Sequence, residues 1–128
     1  MDNHGEEPVK IEFKADKELH GGIVVLRLRG RIDAFVYSLF RDRLIEAINE
    51  GQQKVVLDLR DTENINTTCV GLIVSKMKQC RDAGGDIKLV GLSGYVQRIL
   101  QPIGVLKVFA VYESDDQAVD AFQQPVAK

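Results

Sequence analysis

The residues best placed to do chemistry are two adjacent threonines, Thr67 and Thr68, within Ile65-Asn66-Thr67-Thr68-Cys69-Val70-Gly71-Leu72. A strand-like run precedes them and a helix-like run follows. A helix start presents unpaired backbone N–H groups and a partial positive charge, so it receives a phosphate readily. A hydroxyl at that place suits regulatory phosphorylation. Thr67 is the predicted acceptor, ahead of Thr68. Asn66 or Thr67 would also supply the N-cap oxygen, worth ~1 kcal/mol. Cys69 to Val74 are apolar on all sides, whereas a surface helix alternates faces. Leu72 is therefore expected either on a partner-binding face or beneath a neighbouring element.

Other chemistries find little support. No Gly-rich phosphate loop is present, and no histidine stands near a nucleophile to act as its base. Asp33, Asp58 and Asp61 fall at strand ends, where they are expected to cap helices and solvate loops. The two cysteines, Cys69 and Cys80, are eleven residues apart. On one helix they share a face but stand ~16 Å apart, too far to bond. Free thiols fit a reducing cytoplasm. Two cysteines and two scattered histidines, His4 and His20, do not make a metal site. No catalytic residue and no cofactor are expected. A net charge of −2 gives no basic field for nucleic acid. No apolar run approaches the ~20 residues that insert in a bilayer, and Met1 to Pro8 does not read as a signal peptide.

The elements that must position the threonines follow from pattern. Residues 1–8 read as a flexible tail, 9–123 as one domain and 124–128 as a second tail. Val9 to Lys14 alternates apolar and charged residues as a half-buried strand does. Glu18 to Gly22 reads as a turn and Ile23 to Arg29 as a second strand, making an antiparallel pair. Asp33 is placed to cap a helix from Ala34 whose apolar stripe is Phe35, Val36, Leu39, Phe40, Leu44, Ala47 and Ile48. Lys54 to Leu59 reads as a central strand covered on both faces. Arg60 to Asn64 reads as loop. The threonine helix is expected to run to about Asp82 with Val70, Ile73, Val74, Met77 and Cys80 inward. Asp86 to Val90 is the fourth strand. Ser93 caps a short helix that Pro102 helps to stop. Lys107 to Tyr112 is the fifth strand, and Ser114 caps a last helix carrying Ala118, Val119 and Phe122. Strands alternating with helices require right-handed parallel crossovers. The predicted fold class is α/β, a single-layer, mostly parallel five-stranded sheet with an antiparallel edge strand and about four helices.

These segments, in this order, resemble the STAS domain (sulphate transporter and anti-sigma-factor antagonist), especially the bacterial anti-sigma-factor antagonists. Gly30-Arg31-Ile32-Asp33 resembles the family's Gly-x-Leu-Asp segment, and Val55 to Leu59 its central strand. Asn66 to Leu72 is similar to its Asp-Ser-Ser-Gly-Leu-Gly signature. Ala83 to Ser93 resembles its Gly-Gly turn, strand and helix cap, and Ile103-Gly104-Val105 the Gly-Leu before its last strand. Asn66 stands where the family has Asp, Cys69 where it has Gly, and threonine where it has serine. The resemblance implies a partner switch. The antagonist binds an anti-sigma factor that is also a serine/threonine kinase, is phosphorylated at the position of Thr67, and is restored by a PP2C-type phosphatase. It implies a partner face of Asp33, Asn64, Asn66, Thr67, Thr68, Cys69, Val70 and Leu72, and allows a weak homodimer. Alternative readings are a STAS subunit docking on an ABC-transporter ATPase, or a small-ligand or nucleotide sensor using Asp33 and the Asn64 to Thr68 loop.

Overall fold

The computed structural model describes residues 12–123. Its strands are β1 (Phe13–His20), β2 (Ile23–Ile32), β3 (Lys54–Asp58), β4 (Thr62–Ile65), β5 (Asp86–Val90) and β6 (Val111–Tyr112). Its helices are α1 (Tyr37–Glu50), α2 (Thr67–Asp82), α3 (Gly94–Ile103) and α4 (Asp115–Gln123). The two expected tails, and the first three residues of the expected strand from Val9, lie outside the described residues.

The long strand β2 organises the sheet. Along one side it pairs antiparallel with β1. Along the other it pairs in parallel with β3 over Val24 to Arg27, then with β4 over Gly30 to Ile32. The remaining strands continue in parallel as β3, β5 and β6. The sheet is thus mostly parallel with one antiparallel pair, as expected, but it has six strands among the described residues rather than five.

The extra strand is β4, inside the stretch read as loop. Its composition hides it, because Thr62 and Ile65 are buried while Glu63 is exposed and Asn64 half-buried. The buried Thr62 hydroxyl donates to the Leu28 carbonyl at 2.7 Å, so a polar residue sits in the interior fully bonded. The pairing slips by one residue between Gly30 and Arg31, with Glu63 of β4 as the extra, bulged residue. Gly30 has φ +89°, and a Cβ there would lie 1.7 Å from the Glu12 carbonyl oxygen.

Residues on alternate faces of the strands sort into two cores. Val24, Leu26, Leu28, Val55, Leu57, Ile87 and Leu89 face α1, α2 and α3. Ile23, Val25, Val56 and Val90 face the other way, under Ala118 and Val119 of α4. Period-two alternation in β2 and β3 therefore decides which helix each residue meets, and β3 is covered on both faces as predicted.

Four boundaries differ from expectation. β1 runs through His20 into a two-residue Gly21-Gly22 turn, both with the positive φ that a type I′ hairpin turn demands. Ala34–Val36 is a 3-10 turn, not the start of the helix. Its tighter winding takes Phe35 off the apolar stripe, leaving it 84% exposed, and Leu39 is exposed as well. α3 carries Pro102 in its last turn and stops at Gly104, φ +82°. The fifth predicted strand shrinks to Val111–Tyr112, because Val105–Lys107 winds into a second 3-10 turn that swings Phe109 into the core.

Candidate functional site

β2 and β4 end side by side, with Ile32 opposite Ile65 and the Asn66 N–H donating to the Ile32 carbonyl at 2.9 Å. The next residues are Asp33 and Asn66, so the two parallel strands deliver two capping residues to one edge of the sheet. Both have extended backbones. Asp33 Oδ1 accepts from the Phe35 N–H at 3.0 Å. Asn66 Oδ1 accepts from the Cys69 N–H at 2.9 Å, which settles the N-cap of α2 on Asn66 rather than Thr67.

With Asn66 as cap, Thr67 and Thr68 are the first two residues of α2. Both are exposed, and neither hydroxyl takes part in a hydrogen bond among the described residues. The first turn holds no acidic side chain, so its positive end is not offset from within the helix. The Thr67 and Thr68 N–H groups have no preceding turn to bond to. The site is therefore a pair of free hydroxyls on a rigid helix end that favours negative charge.

The remaining predicted site residues divide. Asp33 lies close enough to the start of α2 to act on the Cys69 thiol, whose pKa is pushed up to about 11, by burial first and by the Asp33 charge second. That thiol is wholly buried, and Val70 is buried too, so neither side chain is offered to a partner. This corrects the expectation that both belong to a binding face: they turn into the core between α2 and the sheet. Leu72 is half-buried against the same core, nearer to the covered alternative. Asn64 is half-buried in β4, opposite Arg31.

Phe35 was not legible as a site residue. It stands two positions beyond Asp33 and is 84% exposed, the most of any large hydrophobic residue described. Val36, next to it in the same 3-10 turn, and Phe40 in α1 are both buried. The other strand-end carboxylates take structural roles. Asp58 is buried and accepts from Arg60, while Asp61 is exposed near Arg29. Both cysteines are free and buried.

Comparison with known proteins matches this architecture. The anti-sigma F factor antagonist of Paenibacillus polymyxa is 24% identical over 110 residues, covering 85% of this chain and 94% of its own. The anti-sigma-F factor antagonist RsfA of Mycobacterium tuberculosis is 26% identical over 116 residues, covering 89% and 91%. The anti-sigma factor antagonist SpoIIAA in its unphosphorylated form superposes with a TM-score of 0.74 at 22% identity, over 89% of this chain and 100% of that one. The Bacillus SpoIIAA in its phosphorylated form gives 0.66 at 21%, over 84% and 98%. Residues 14–118 match the STAS domain, and the chain belongs to that family.

Proposed function

We propose that this protein is an anti-sigma-factor antagonist whose docking is switched by phosphorylation of Thr67. In this reading it binds an anti-sigma factor that is also an ATP-dependent serine/threonine kinase. Phosphorylation of Thr67 releases it, and a PP2C-type phosphatase restores it. The chain acts as ligand and kinase substrate. The observation that carries the reading is the exposed, unbonded Thr67 hydroxyl at the first position of α2, in a fold whose relatives are named anti-sigma factor antagonists.

The physics of the site supports it. A phosphate adds about −1.5 to −2 charge. At the first turn of α2 it meets N–H donors and the positive end of the helix, so the fold tolerates it. Asn66 bonds α2 without adding a negative charge of its own. A partner pressed against the same surface would have to desolvate that charge, which is costly. Phosphorylation thus blocks contact and leaves the globule intact. Phe35, beside Asp33, supplies the large exposed apolar side chain that anchors such a contact.

The test is incubation with the cognate anti-sigma kinase and ATP, followed by mass spectrometry of the intact and digested protein. One added phosphate mapping to Thr67, and absent from Thr67→Ala, is the expected result. Wild-type protein left unmodified while a conventional antagonist is modified by its own kinase in parallel would refute the switch.

A further inference from the structure

We propose that Asp58 and Asp115 share one proton, held on Oδ1 of Asp115, and that this buried carboxyl pair is a proton-dependent clasp fastening α4 to the sheet. Asp58 ends β3 and Asp115 opens α4, 4% and 7% exposed respectively. Arg60 Nη2 donates to Asp58 Oδ2 at 2.6 Å and to Asp115 Oδ2 at 3.3 Å, so one nitrogen holds both carboxyls together.

The placement of the proton follows from counting donors. Asp58 Oδ1 accepts from the Arg60 N–H and Nε at 3.0 and 3.1 Å, and its Oδ2 from Nε and Nη2. It has charged donors on both oxygens and stays ionised. Asp115 Oδ2 accepts from Arg27 Nε and Nη2 at 3.1 and 2.9 Å. Asp115 Oδ1 is buried with no partner among the described residues. A buried carboxylate oxygen without a donor is costly. A proton on that oxygen, shared with the Asp58 carboxylate to which Asp115 is hydrogen-bonded, satisfies it and removes one of two neighbouring like charges.

The surrounding charges do not neutralise a doubly ionised pair. Arg27, on β2, also gives Nη1 to Glu18 of β1 at 2.6 Å, and Glu18 in turn meets His20. Arg60 comes from the β3–β4 connection, its stem lying where a Cβ on Gly91 would be. Lys88 of β5 is committed to Asp86 and to the rings of Tyr112 and Phe122. On α4 itself, Asp116 and Asp120 are exposed.

Burial, then the bond to Asp58, raises the pKa of Asp115 above the ordinary aspartate value. Burial opposes ionisation of Asp58 too, but the Arg60 bonds outweigh it and lower its pKa. A raised carboxyl stabilises the fold fully below its unfolded pKa and loses that contribution as pH rises through the folded one. A lowered carboxyl stabilises above its unfolded pKa and fails as pH falls through the folded one. The clasp therefore holds best between the two folded pKa values. Above that window the Asp115 O–H bond breaks, the proton passes to water, and two facing carboxylates loosen the first turn of α4.

The test is a carbon-13 carboxyl NMR titration of the full chain, with amide exchange of α4 followed in the same samples. The expected result is an Asp115 midpoint above the ordinary aspartate value, with that of Asp58 below it. The exchange protection of Ala118 and Val119, corrected for intrinsic rate, should fall several-fold as pH rises through the Asp115 midpoint. In Asp115→Asn the amide supplies the missing donor, so protection should stay flat with pH. His20→Asn controls for the imidazole and should behave as wild type. Asp115 titrating at or below the ordinary aspartate value, or equal pH dependence in Asp115→Asn and wild type, overturns the proposal. The wild-type titration decides the matter even should the variant not fold.

Discussion

Asn66 does two things at once. Its amide oxygen fixes the first turn of α2 through Cys69 N–H, and that turn determines where the Thr67 hydroxyl points. Asn66→Ala should cost about 1 kcal/mol, visible as a fall in melting temperature of about 4 °C. An unchanged melting curve would show that the cap is dispensable. The two thiols make a second residue-scale case. Cys69 and Cys80 are wholly buried and burial raises both pKa values, that of Cys69 to about 11. The thiolate is the reactive species. Neither should react with a thiol reagent at neutral pH until denaturant is added, which a timed colorimetric assay would check. Fast labelling of the native protein would place a thiol outside the core.

At the scale of elements, α2 carries an oddity: Gly71 lies in its second turn, exposed, and an added Cβ would meet nothing within 4 Å. Glycine in a helix interior costs roughly 0.5–1 kcal/mol relative to alanine. Gly71→Ala should therefore raise the unfolding free energy by that amount, read by denaturant titration; a fall would mean the backbone there is not ordinary helix. The 3-10 turn before α1 gives a complementary case. Phe35→Ala removes a side chain that the fold barely covers, so stability should stay within about 0.5 kcal/mol of wild type. Under the proposed function, affinity for the anti-sigma kinase should drop at least about tenfold, read by calorimetry. Equal affinity would take Phe35 out of the interface. These two elements also show what could be read in the chain. The span of α2 was legible, because a capping residue and a closing Gly pair bound it, but its cap stayed open between Asn66 and Thr67 and the burial of Cys69 and Val70 did not show. The turn carrying Phe35 was not legible, since a single 3-10 turn shifts the stripe without changing any residue type. β4 was missed because its inward Thr62 is polar, and only the Leu28 carbonyl across the sheet makes it a core residue. The Asp33–Asn66 edge needed the shared neighbour β2, a long-range pairing that no local pattern reports.

For the whole molecule, the division into two cores matters most. Among the described residues, three helices and the larger core lie on one face, while α4 alone closes the other over a small apolar patch. α4 therefore leans on the Asp58, Arg27, Arg60 and Asp115 cluster for part of its hold. Asp58→Ala leaves the Arg60 guanidinium without its main buried partner. That guanidinium reaches water in part, so the cost should be about 2 kcal/mol rather than the full penalty of a broken buried pair. A denaturation midpoint equal to wild type would deny the cluster that role. The candidate site lies at the β2–β4 edge, on α2, away from this clasp. A charge added at Thr67 should leave both cores as they are.

That separation of charge from fold is the central claim, and one titration addresses it most directly. Wild-type protein and Thr67→Glu are each titrated into the cognate anti-sigma kinase, with circular dichroism recorded on the same samples. The account predicts identical spectra and melting temperatures within about 2 °C, with affinity for the kinase reduced at least about tenfold in Thr67→Glu. Equal affinity of the two proteins, or loss of binding accompanied by loss of the folded spectrum, would contradict it.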